Sequence, residues 1–325
     1  MMIVSHFAAT AKEADWVTYP GGDGPGKGKQ VVLIAGDEEY RSEDGLPMLG
    51  KILAQRHGFA CTVLFSVSPE GRIDPNAGIS LSHPEALDTA DAIVMLIRFR
   101  KWPDETMKRF DAAIRRGVPV IALRTSTHAF QLPDSSAFKS YNSFGKRVLG
   151  EQWVSHWGAH KSEASRGIIE AANAANPVLR GVTDVFGNSD VYEAAPPADA
   201  KILLRGQVLK GMNPGDAPAS YSKKRADGTT QPINDPMMPI AWTREVPNEA
   251  GKTNKILCTT MGAATDLASE GLRRLVVNGV FWSLGLEVPA KADVSFVGTY
   301  EPLMYGSNDF RKGVPPASHL SSTGP

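Results

Sequence analysis

The feature that most constrains this chain is an alternation of continuous apolar runs with amphipathic segments at helical spacing. Val31-Val32-Leu33-Ile34-Ala35 is apolar throughout and ends at Gly36, as a strand buried on both faces should. Leu46, Leu49, Ile52 and Leu53 follow at helical spacing, and Gly58 stands where that helix would stop. A second short apolar run, Cys61 to Phe65, comes next. The pattern then repeats. Ala92 to Ile97 is apolar, Pro103 opens a segment with Met107, Phe110 and Ile114 on one face and Gly117 at its end, and Val118 to Leu123 follows. This rhythm predicts an α/β domain whose mostly parallel sheet carries helices on both faces. Right-handed crossovers then place the carboxyl ends of the parallel strands along one edge.

Length and composition agree with a large packed core. The chain has 325 residues, and 35 Lys+Arg balance 35 Asp+Glu. A neutral chain without a basic block is a poor partner for nucleic acid. Two cysteines, Cys61 and Cys258, rule out a disulfide scaffold and a four-cysteine metal site. No apolar run reaches the roughly 18 residues of a membrane span. Residues 1–28 read as an extended lead-in ending in a Gly-rich run, in which Ala9-Thr10-Ala11 has the small-x-small pattern of an export-signal cleavage site. No complete signal is present, so the compartment stays open between export and cytoplasm. The α/β domain is expected over 29–288, with a surface insertion near 210–236 and a C-terminal tail over 289–325 that drapes over the domain or is partly disordered. Later strands are expected at Lys201 to Val208, Met238 to Thr243 and Ile256 to Thr260. A helix carrying Leu272, Leu275, Val276 and Val280 is expected to end at Gly285, with Thr265 or Asp266 as its N-cap.

In an open parallel sheet, ligands bind beyond the carboxyl ends of the strands. The residues just after each strand are therefore the informative ones: Asp37-Glu38-Glu39-Tyr40-Arg41, Arg98-Phe99-Arg100, Arg124-Thr125-Ser126-Thr127-His128 and Thr259-Thr260-Met261-Gly262. Polar groups from distant positions converge on one expected edge. A second constellation is Gly150-Glu151-Gln152-Trp153-Val154-Ser155-His156-Trp157-Gly158-Ala159-His160. His156 and His160 could ligate a divalent metal with His128 as third ligand, or act as proton shuttles. Trp153 and Trp157 are either core or a stacking face. Nucleotide-phosphate loops and a G-x-S-x-G elbow are absent. Cys61 and Cys258 sit inside apolar strand patterns, where an inert buried thiol is the expectation.

The segments VVLIAGDEEYRSED (31–44), RFRKWPDETM (98–107), PVIALRTSTHAF (119–130), GEQWVSHWGAH (150–160), PMMPIAW (236–242) and TTMGAATDLASEGLRRLVVN (259–278) resemble the ThuA-like, trehalose-utilisation family. The resemblance runs from about residue 14 to 313. It implies a flavodoxin-like sheet of the class I glutamine amidotransferase type. In true amidotransferases a cysteine occupies the tight turn after the strand matching Val118–Leu123, whereas here the turn reads Arg124-Thr125-Ser126. A glutaminase would lack its nucleophile, and nothing in the sequence sets a base against Ser126.

The family name implies a small-molecule carbohydrate partner, such as a keto-glycoside, and relatives that are often exported. The resulting expectation is isomerase- or lyase-like acid/base chemistry on a sugar. His128, Glu38 and Glu39 would be the catalytic groups, with Arg98, Arg100, Arg124, Glu151, Trp157 and Met261 contacting substrate. His156 and His160 are the metal-ligand candidates, no cofactor being required by the sequence. A non-catalytic sugar-binding protein and a metal-dependent hydrolase are the alternatives, and a homo-oligomer is left open.

Overall fold

The computed structural model describes residues 14–321. Ala9-Thr10-Ala11 lies outside them. In chain order the strands and helices are β1 (Val17–Tyr19), β2 (Gln30–Gly36), α1 (Ser42–His57), β3 (Ala60–Phe65), β4 (Ala92–Ile97), α2 (Asp104–Arg115) and β5 (Val120–Leu123). There follow β6 (Ser165–Ile169), β7 (Phe186–Gly187), β8 (Lys201–Val208), β9 (Ser222–Lys224), β10 (Thr230–Pro232), β11 (Met238–Pro247), β12 (Thr253–Thr259) and α3 (Glu270–Ser283).

Among the described residues the main sheet has ten strands in the order β1-β3-β2-β4-β5-β12-β11-β8-β6-β7. The central run β3-β2-β4-β5-β12 is parallel, and its order is that of flavodoxin-like doubly wound sheets. Antiparallel β1 extends one side, and β11, β8, β6 and β7 extend the other. Two apolar layers cover the parallel strands. Val31, Leu33, Ala35, Val94 and Leu96 pack with Leu46, Leu49 and Ile52 of α1 and Leu272, Leu275 and Val276 of α3. Val32, Ile34, Ile93, Met95 and Ile97 pack with Met107, Phe110 and Ile114 of α2. Alternate residues of one strand thus face opposite layers, which is why those strands read as unbroken apolar runs.

One expectation changes, and two further segments gain detail. α3 is capped by Ser269, whose hydroxyl accepts from Leu272 N at 3.4 Å. Thr265 and Asp266 do not cap it, because the Asp266 carboxylate is taken by the amides of Gly262 and Ala263 and by Ser189. The 210–236 insertion contains the β9–β10 hairpin, docked where Lys223 donates to the carbonyls of His156 and Trp157 at 2.9 and 2.8 Å. The tail is a strap laid along α1. His57 bonds Asp293 O at 2.7 Å, Arg41 donates to Gly306 O at 2.8 Å, and Arg311 pairs with Asp44 at 2.8 Å. No helix among the described residues is long and apolar enough to cross a membrane.

Beneath the strap, the first turn of α1 buries Glu43. Neither of its carboxylate oxygens has a hydrogen-bond partner, and the Arg41 guanidinium lies 3.6 Å away. Burial pushes this carboxyl up to about 8, against the pull of Arg41. An acid whose folded-state pKa is raised contributes stability that is full below its unfolded value and is lost as pH climbs through the folded one. The protein should therefore lose stability between about pH 4.5 and about pH 8 through this group. Glu43→Gln should melt close to wild type at pH 4.5 and well above it at pH 8.5. Melting curves that stay parallel across that range would show that Glu43 is ionised in the folded protein at all these pH values.

Candidate functional site

The carboxyl ends of β2, β4, β5 and β12 deliver their loops to one edge, as the alternation requires. Asp37, fully buried after β2, organises the first loop: Oδ1 accepts from the amides of Glu39 and Tyr40, and Oδ2 accepts the Thr125 hydroxyl at 2.5 Å. That turn presents Glu38 and Glu39 to the loop after β4. Arg98 donates to Glu38 at 2.8 Å and to Glu39 at 2.7 Å, and Arg100 pairs with Glu38 at 2.9 Å. Burial, and then the Asp37 charge, push the Glu38 carboxyl upward against Arg98 and Arg100.

Arg124 follows β5 directly and is fully buried with φ at 39°, a left-handed conformation that costs a non-glycine residue about 1–3 kcal/mol. Its guanidinium lies between two rings, 4.4 Å from the Tyr40 centroid and 4.0 Å from that of Tyr192. It donates to the carbonyls of Asp190 and Thr260, each at 2.8 Å, and to Asp190 Oδ1 at 2.9 Å. Ser126, two residues on, has its hydroxyl bonded to Met95 O at 3.0 Å and sits in the core.

The 150–160 segment is no helix. It pairs with the Asp190–Glu193 stretch instead: an antiparallel bridge joins His156 to Tyr192, and Trp157 N donates to Val191 O at 2.7 Å. That pairing sets Asp190 against both histidines. His156 Nδ1 meets Asp190 Oδ2 at 2.7 Å, and His160 Nδ1 meets Oδ1 at 3.0 Å. The other nitrogen of His160 faces Glu39 Oε1 at 3.1 Å. Burial opposes ionisation of Asp190, but Arg124 and the two histidines overcome it and hold the carboxyl well below the usual range.

His156, His160 and Asp190 offer ligand atoms that all lie within 4.8 Å of one another. His128 is not among them. Its ring lies against Phe99 and Trp153, with centroids at 5.0 and 5.3 Å, and burial pushes it down to about 3, so it is a neutral wall residue at pH 7. Gly145 lets another loop close behind it, since a Cβ there would stand 1.9 Å from Thr127 O.

Three expected substrate contacts are corrected. Trp157 is fully buried in the core and donates its indole N–H to Ile233 O at 2.8 Å, so it offers no stacking face. Glu151 accepts from the amides of Gln152 and Ala195 and holds a loop together. Met261 packs its side chain in the core, and its polar contacts are those of its backbone, the carbonyl accepting from Arg124 N and the amide donating to Thr259 Oγ1, each at 3.1 Å. Arg100 and Arg124 stand behind the edge, spent on internal partners. Glu38, Glu39, Arg98, His156 and His160 remain partly exposed at its mouth, with His156 at 35% and His160 at 28%.

Asp190, Trp153 and Tyr305 complete the site. Trp153 lies 5.6 Å from His156 between centroids, and its buried indole N–H has no partner. Tyr305 comes from the strap: its ring is 5.1 Å from Tyr40 and 5.7 Å from His160, and its hydroxyl donates to Asn188 O at 3.0 Å. An open groove of about 510 Å³ continues from Glu38, lined by Asn76, Phe99, Arg100, Lys101 and Gln131. That size suits a small-molecule ligand, unlike the hollow of about 90 Å³ beneath the strap.

The family model described as ThuA, trehalose utilisation, matches residues 30–283. The fold is similar to a solved protein from Parabacteroides merdae described as ThuA-like, at 16% identity and a TM-score of 0.54, over 81% of this chain and 92% of that one. A second ThuA-like structure, from Bacteroides uniformis, is 14% identical with a TM-score of 0.47, over 86% of this chain and 95% of that one. No curated protein matches the chain.

The buried Arg124–Asp190 pair should govern the stability of this edge. Asp190→Ala strands a fully buried guanidinium, a change that costs about 3–5 kcal/mol. Urea denaturation should show that loss, while Glu39→Gln, at the partly exposed mouth, should cost under about 1 kcal/mol. Equal losses for both variants would contradict the hub role of Asp190.

Proposed function

Because this chain belongs to the ThuA, trehalose-utilisation family, we propose that it binds a carbohydrate at the carboxyl edge of its sheet and moves a proton on a keto-glycoside. The observation that carries this reading is the position of Glu39. It bridges Arg98 from the loop after β4 and His160 from the 150–160 segment, through opposite carboxylate oxygens. A base, a fixed cation and a histidine pair thus share one opening.

The roles follow from the geometry. Glu38 or Glu39 removes the proton beside the sugar carbonyl and returns it to the adjoining carbon, as isomerisation requires, or leaves it with the departing group, as elimination requires. Arg98 and the histidine pair stabilise the oxygen on which charge develops. The Trp153 N–H is buried without a partner, and a rotation of the ring toward the opening would make it a donor for a sugar oxygen. Phe99, 39% exposed, and the amides of Asn76 and Gln131 give the adjoining groove the mixture of apolar face and hydrogen-bonding groups that a second sugar ring needs. The elbow residue is Arg124, so amide hydrolysis through a cysteine has no place in this reading.

A non-catalytic sugar-binding role is the second reading. It is favoured by one observation: Arg98, Arg100 and Arg124 are all already engaged in ion pairs. Solvent exchange separates the two. Keto-glycosides incubated with the protein in D2O should gain deuterium beside the carbonyl, read by NMR. Glu38→Gln and Glu39→Gln should each slow that exchange, the essential one by about 10²–10⁴-fold. Saturable binding of the glycoside without exchange would leave the binding role and remove the catalytic one.

A further inference from the structure

We propose that His156, His160 and Asp190 form a binding site for a divalent first-row transition-metal cation, with Glu39 as the carboxylate that orients His160. Two imidazole nitrogens and a carboxylate oxygen gather within 4.8 Å of one another, and small side-chain rotations would bring them to the metal–nitrogen and metal–oxygen lengths of about 2.0–2.2 Å at which one ion is shared. The set is held from outside. The His156–Tyr192 bridge fixes the backbone, and Lys223 clamps the carbonyls of His156 and Trp157.

A separate observation points the same way. Metal-bound histidine generally donates its second ring N–H to a carboxylate, which fixes the tautomer and turns the ligating lone pair toward the metal. His160 has this arrangement, with Nε2 at 3.1 Å from Glu39 and Nδ1 on the Asp190 side. If Nε2–H donates to Glu39, Nδ1 carries a lone pair where it faces Asp190 Oδ1 at 3.0 Å. Two electron-rich atoms at that distance need a proton or a cation between or beside them. Arg124 holds Asp190 at Oδ1, and Oδ2 is the oxygen that meets His156 Nδ1 at 2.7 Å, so a metal bound there would take the place of the proton that this pair shares.

Donor chemistry narrows the cation. Two nitrogens with one oxygen suit zinc, cobalt, nickel, manganese or iron better than calcium or magnesium, which need more oxygens. Three protein ligands on one side, with both histidines partly exposed, leave positions open to water or to a ligand oxygen. Filling those positions with the carbonyl and an adjacent hydroxyl of a sugar rests on the carbohydrate reading, whereas the site itself does not.

The test is a titration with Co2+ of the full chain, prepared without a chelating column and stripped with EDTA. Stoichiometric uptake should appear with visible d–d absorption. His156→Ala and His160→Gln should lose it while keeping the wild-type circular dichroism spectrum, and Glu39→Gln should bind about 10–100-fold more weakly. Having two ligand variants keeps the test decisive if one fails to fold. No saturable uptake by the wild type, or uptake unchanged in the folded variants, overturns the proposal. The readout needs no sugar, so cobalt uptake without proton exchange would defeat the functional reading alone.

Discussion

A guanidinium with no access to solvent must find its counter-charge inside the protein, and at this edge that need decides where the rest of the site stands. Arg124 is sandwiched between Tyr40 and Tyr192 and neutralised by Asp190. Desolvating such a charge is costly unless geometry and hydrogen bonds are complete. Asp190 must therefore sit in one place, and its remaining valence is spent on His156 and His160. The histidines inherit their position from an ion pair that itself touches no solvent. Because Asp190 lies in a loop, the antiparallel pairing of the 155–158 and 190–193 stretches supplies the rigidity that a strand would otherwise give.

The position of Arg124 also bears on how this fold can change its chemistry. The turn directly after the central strand β5 is strained, with Arg124 at φ 39°. What occupies it is an inward-facing arginine, so the turn now serves assembly of the edge. The groups to which we assign the proposed chemistry lie farther out, on Glu38, Glu39, Arg98 and the histidine pair. Fold and chemistry are separable in this way because the sheet fixes only where loops begin.

The parallel core was legible in the sequence because strands buried on both faces leave unbroken apolar runs, and Val31–Ala35 and Ala92–Ile97 have no other comfortable reading. The loops carrying Glu38, Glu39 and Arg98 were legible for the same reason: strand ends locate them. Asp190 was not. It sits in Asn188-Ser189-Asp190-Val191, where an acid before an apolar pair is the only signal, and no spacing rule ties it to His156 across a long separation. Tyr305 was hidden likewise, since the strap has almost no periodicity and is held by single bonds such as Arg41 to Gly306 O. Trp157 and Trp153 are four residues apart in one motif, yet one is core and the other lines the site. Residue type could not separate them, because burial depends on which side of the bridged segment each one leaves.

The central claim is that one carboxylate, Asp190, serves both the buried arginine and a histidine pair poised to share a cation. Anomalous scattering from crystals soaked in zinc, recorded on both sides of the zinc absorption edge, tests it most directly. The account predicts a single strong peak at bonding distance from His156, His160 and Asp190, with Arg124 still paired to the same carboxylate. A peak elsewhere on the chain, or none at this edge with both histidines turned away from Asp190, would contradict it.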